Sequence, residues 1–202
     1  AFSSCGAMGS GGTHAILASS FTAADEDILG ANEDYHALEQ ELQARINRIE
    51  TDYPDYDEYV YNLAEINHNP YELISYLTVR FEDFHRDQVQ DALQQVFSAQ
   101  YELSTVESVE MRTRTVTETD PETGEETTRE EEYEYHILTV TLRNHGIAAA
   151  LNYAGFTESQ IQRYRLLIET KGNKSYLFED DIYANEDYLD YDIPGEALTD
   201  ER

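Results

Sequence analysis

Two glutamates, Glu65 and Glu72, flank the phrase Asn67-His68-Asn69-Pro70. A glycosidase works with two carboxyl groups about 5–9.5 Å apart, one protonating the leaving oxygen and the other acting as base or nucleophile. A muramidase-like attack on peptidoglycan is the reaction that this pair suggests. Each residue also has a plainer account. Asn69 suits a helix cap and Pro70 the first helical position. Glu72 stands three residues after the cap, where a capping-box carboxylate belongs. Glu65 suits a solvated helix face, and His68 a loop histidine bonded to local backbone. The plainer accounts suffice, so the segment is expected to break no bonds, with Glu65 and Glu72 as the catalytic alternative.

Other chemistries have less behind them. Asp25-Glu26-Asp27 and Glu179-Asp180-Asp181 offer hard oxygen ligands, but neither has the spaced acids and central glycine of a calcium loop. The first cluster reads better as the acidic opening turn of a helix. His14, His36, His68, His85, His136 and His145 show no HExxH or comparable spacing, so no metal site and no cofactor is expected. There is no GxSxG, and the single cysteine, Cys5, lies in a small-residue lead too loose to hold a thiolate in place. Tyr53, Tyr56, Tyr59 and Tyr61 fall within nine residues and form the candidate binding surface, for carbohydrate or protein, since aromatic enrichment marks interfaces; half-buried core tyrosines are the plainer account.

Charge selects the partners. The chain has 13 Lys and Arg against 42 Asp and Glu, a net charge of −29 over 202 residues. Such a surface repels phosphate backbones and anionic lipid heads, which makes nucleic acid a poor partner and leaves cations, basic proteins or a cation-rich cell envelope. One cysteine excludes an intramolecular disulfide. No apolar run approaches the ~20 residues of a membrane span.

The elements that must position these residues follow from hydrophobic spacing. Tyr35, Leu38, Leu42, Ile46 and Ile49 step by three and four residues along one helix face, with Glu39 falling off it. A second helix is expected over 57–66, a third from Pro70 to about Phe81 and a fourth over 86–101. The period then changes to two. Val109, Met111, Thr113 and Thr115 alternate with Glu110, Arg112 and Arg114, and Tyr133 to Leu142 forms a returning strand. Between them Asp120-Pro121-Glu122-Thr123-Gly124 is a turn. Arg112 and Arg114 are expected to face glutamates of that strand. A short helix over 147–153 and one opened by a capping box at Thr157-Glu158-Ser159-Gln160 complete the pattern. The fold class is α+β, a helical cluster with one long antiparallel β-hairpin. Residues 1–20 read as a flexible linker, 21–178 as the domain and 179–202 as an acidic flexible tail.

Three phrases carry a family resemblance: residues 21–30 (FTAADEDILG), Tyr56-Asp57-Glu58-Tyr59 and Ile66-Asn67-His68-Asn69-Pro70-Tyr71-Glu72-Leu73. With the hairpin turn and Glu169-Thr170-Lys171-Gly172-Asn173, they resemble the extracytoplasmic segment of Gram-positive conjugative-transposon mobile-element proteins. The resemblance covers most of residues 21–178. It implies a cell-envelope location, a membrane anchor preceding the segment and an NlpC-type cell-wall peptidase following it. That peptidase's catalytic Cys and His match no position here. The implied function is a non-catalytic module that positions the fused hydrolase or docks transfer-machinery proteins, with peptidoglycan as a further ligand.

Overall fold

The computed structural model describes residues 18–184. Most of the expected linker and tail, with Cys5, His14, Tyr188 and Tyr191, lies outside the described residues. The class is α+β: helices surround a core, and three strands, β1 (Glu58–Leu63), β2 (Tyr101–Thr119) and β3 (Glu126–Asn144), form a sheet in the order β1-β3-β2. The described residues divide into two compact units, the first built from 18–42, 66–101 and 144–184, the second from 43–65 and 102–143.

In the first unit, helix α1 (Asp25–Asn47) opens with Asp25, Glu26 and Asp27 and carries Arg45 in its last turn, both favourable to the helix dipole. It buries Ile28, Ala31 and Tyr35. Helix α3 (Pro70–Phe81) is central: every residue from Pro70 to Val79 is buried. It starts where the sequence places it, because the Asn69 side chain accepts from the Tyr71 N–H at 2.9 Å and Pro70 needs no donor of its own. Glu72 does not complete a capping box; its carboxyl turns inward to Tyr164. Helix α6 (Glu158–Glu169) lies along α3, and α4 (Gln90–Gln100) along α5 (Ala149–Tyr153). The capping box of Thr157 with Gln160 forms as expected. Gly172 takes a φ of +56°, and a Cβ there would meet the Phe21 ring at 2.3 Å, so the backbone turn and the packed ring both require glycine. Order continues past Phe178: Ala184 packs in the same core, six residues beyond the expected domain end.

In the second unit, residues 57–66 do not form the expected helix. Glu58–Leu63 is strand β1, parallel to β3 with Glu58 opposite Ile137 and Leu63 opposite Leu142. The run Tyr59-Val60-Tyr61 explains the difference, since β-branched and aromatic side chains fit a pleated surface better than a helix. A short helix α2 (Ile49–Asp52) precedes it. Strands β2 (Tyr101–Thr119) and β3 (Glu126–Asn144) are each 19 residues long, longer than sequence patterning marks out. The six-residue tip between them is too short for a parallel crossover, so the pair is an antiparallel hairpin. Asp120 closes the tip by accepting from the N–H groups of Glu122 and Thr123. Ile49, Leu138 and Val140 form a small core with Tyr56, Tyr59 and Leu103 against it. Arg114 meets Glu131 as expected, but Arg112 pairs with Glu110 of its own strand. Both guanidinium groups also stack on the returning strand, Arg112 at 3.4 Å over Tyr135 and Arg114 at 5.2 Å over Tyr133.

Candidate functional site

The first unit holds a buried polar cluster. His36 and Glu39 stand one turn apart on α1, and His68 arrives from the residue before the α3 cap. His36 Nδ1 lies 3.1 Å from Glu39 Oε2, and His68 Nδ1 lies 3.0 Å from Glu39 Oε1. His68 Nε2 faces Asn32 Oδ1 at 2.9 Å. The Tyr101 hydroxyl donates between Glu39 Oε1 and the Asn67 carbonyl, at 2.7 Å to each. Gln100 completes the set: its amide N–H donates to the Asn67 carbonyl at 2.9 Å, and its carbonyl accepts from Tyr35 at 2.7 Å.

Asn32, Glu39, Asn67 and His68 are all buried, Glu39 at 5% exposure. Burial alone would raise the Glu39 pKa. The hydrogen bonds from His36, His68 and Tyr101 outweigh it and hold the carboxyl down to about 2. In return, hydrogen bonding to Glu39 raises the His36 pKa. Burial and the Glu39 charge push the Tyr101 phenol far up. His68 is therefore not a loop histidine bonded to local backbone: both ring nitrogens face side chains at least 29 residues away in sequence. Glu39, placed off the apolar stripe by spacing, points into the interior with it. The readable signal was the His36-x-x-Glu39 pair, adjacent on one helix face.

The two glutamates of the catalytic alternative are described each in its own unit. Glu72 belongs to the first unit and Glu65 to the second. Glu65 is exposed. Glu72 is buried with the Tyr164 hydroxyl donating at 3.4 Å, and burial pushes its carboxyl up to about 7. A general acid wants such a value, but the void beside Glu72 and His68 is about 10 Å³, room for about one water. A hollow of about 460 Å³ in the same unit is lined by Tyr76, Gln94, Gln95, Ser98 and Tyr153 among others. No charged side chain lines it, and Tyr153 stands 86% exposed.

The four candidate tyrosines all lie in the second unit. Tyr53 and Tyr61 are exposed, and Tyr56 and Tyr59 are half-buried against the small core, edge to face at 6.0 Å. The Tyr59 hydroxyl donates to the Tyr53 carbonyl, and Tyr61 donates to Glu50 at 3.2 Å. A hydrogen bond to Glu107 pushes the Tyr56 phenol up to about 12. These rings mostly brace β1 and leave one face of Tyr53 and Tyr61 to solvent. No family model, curated protein or solved structure matches the chain. Among the described residues, no helix is long and apolar enough to cross a membrane.

Proposed function

We propose that this chain is a non-catalytic module of the Gram-positive cell envelope, belonging to a conjugative-element protein, and that it docks a basic transfer-machinery protein through its long hairpin. The observation that carries the reading is the outer edge of β2. No strand among the described residues pairs with that edge, and Val106, Val109 and Met111 along it are 61%, 54% and 63% exposed. An open edge can accept a further strand from a partner, main chain to main chain. Twelve Asp and Glu against four Arg between Tyr101 and Asn144 favour a basic partner strand and repel a second copy. The envelope setting, the preceding anchor and the following cell-wall peptidase come from the family resemblance.

A photo-crosslinking residue placed at Val109 or Met111 in mating cells tests this. Adducts with a basic envelope protein are expected; adducts absent at both positions contradict the reading.

A second ligand is favoured by the hollow beside Tyr153. An exposed ring flanked by amide and hydroxyl side chains suits a sugar face, so peptidoglycan strands are its proposed occupant. Tyr153→Ala is expected to lose sedimentation with purified sacculi; unchanged sedimentation counts against it.

A further inference from the structure

We propose that His36, Glu39 and His68 bind one divalent transition-metal ion of the zinc class, through the two Nδ1 atoms and the carboxylate. The three groups each present a ligand atom, all within 4.8 Å of one another. With ligand bonds of about 2.0–2.1 Å, a tetrahedral site sets neighbouring ligand atoms about 3.3 Å apart. His36 Nδ1 lies 3.1 Å from Glu39 Oε2 and His68 Nδ1 3.0 Å from the other oxygen, Oε1, so a small shift of the carboxylate turns the three groups into a coordination face.

The surrounding groups match what holds metal ligands in place. A metal-bound histidine usually gives its other N–H to an oxygen, fixing tautomer and ring orientation. His68 Nε2 already faces Asn32 Oδ1 at 2.9 Å. The Tyr101 hydroxyl donates to Glu39 Oε1, leaving Oε2 for the ion. The two imidazole rings lie side by side, centroids 4.6 Å apart, and both direct Nδ1 at one carboxylate. Without an ion, each Nδ1 must carry a proton for Glu39 to accept from both. A cation takes the place of those two protons, which leave to solvent.

The His36 side chain is 38% exposed, which gives the ion a way in and leaves a fourth position for water. The charge of Asp181 also acts on His36, adding negative potential at that mouth. Two imidazoles with one carboxylate select zinc, cobalt or nickel over magnesium or calcium, which want more oxygen ligands. The bound ion would tie α1 to the start of α3, a structural role independent of hairpin docking.

The experiment uses tag-free protein stripped with chelator and titrated with Co²⁺, then Zn²⁺. A visible band of four-coordinate Co²⁺ is expected, saturating at one equivalent, surviving excess Ca²⁺ and bleaching on addition of Zn²⁺. The melting temperature should rise with Zn²⁺, because an ion that binds the folded state stabilises it. His36→Ala, which removes a partly exposed ligand, should keep the fold and lose the band. Asn32→Leu should weaken binding by about 10–100-fold, the usual effect of losing such a support. Absence of the band overturns the proposal. So does a band that persists in both His36→Ala and His68→Gln, or one that equimolar Ca²⁺ abolishes, since the acidic surface at large would then be the binder.

Discussion

Two buried glutamates of the first unit meet opposite fates. Glu39 has three hydrogen-bond donors and stays ionised, held down to about 2; Glu72 has one, Tyr164, and is pushed up to about 7. Their exposures are the same, 5% each. What separates them is the number of donors aimed at the carboxyl, which decides whether the protein replaces the lost water. The comparison also bears on chemistry. A raised carboxyl pKa is a familiar mark of a general acid, but at Glu72 it reports enclosure in the core.

The pH consequences are opposite in sign. The Glu39 pKa is lowered from 4.5 to about 2. Its contribution is therefore complete above about pH 4.5 and lost as pH falls through about 2. The Glu72 pKa is raised from 4.5 to about 7. Its contribution is complete below about pH 4.5 and lost as pH rises through about 7. Each shift corresponds to about 3 kcal/mol.

Removing Glu39 should have the largest effect. Glu39→Ala leaves the His36 and His68 donors without their acceptor and Tyr101 with the Asn67 carbonyl alone, and should cost about 3–5 kcal/mol in urea unfolding at pH 7. A loss below about 1 kcal/mol would break the comparison, since the cluster would then not depend on its carboxylate. Glu72→Gln should act in the other direction, raising stability by about 2–3 kcal/mol at pH 8 and changing little at pH 4.5. A pH-independent difference would show that Glu72 is not the titrating acid. Asn69→Ala should cost about 1 kcal/mol, because α3, which carries Glu72 and follows His68, loses its cap; a melt identical to wild type would contradict the cap. Arg114→Ala on the hairpin should cost less than about 0.5 kcal/mol, as exposed ion pairs do. A larger loss would mean that the hairpin surface matters to folding as the buried acids do.

Much of this architecture was legible in the sequence where the signal is local. Asn69-Pro70 fixed the start of α3 and Thr157-Glu158-Ser159-Gln160 that of α6, because caps act within one turn. The period of two marked the hairpin, although its strands extend to Tyr101 and Asn144, beyond the alternation. Strand β1 fits two periods, because Tyr59, Leu63 and Ile66 also fall on a helical step, and only pairing with β3 decides between them. The His36, Glu39 and His68 cluster stayed hidden for a different reason. Its members come from α1 and from the start of α3, and no spacing rule links residues that only tertiary packing brings together. The same holds for Glu72, whose position three residues after a cap predicts a partner that Tyr164 supplants.

In the proposed function this segment holds a partner along β2 and breaks no bonds. The most direct test is transfer frequency in mating cells carrying Val109→Lys with Met111→Lys, measured beside cells carrying Glu72→Gln. The hairpin variant should lower transfer by at least about tenfold, equivalent to about 1.4 kcal/mol of lost docking, while melting like wild type, and Glu72→Gln should leave transfer unchanged. Normal transfer with the hairpin variant, together with collapse in Glu72→Gln, would contradict it.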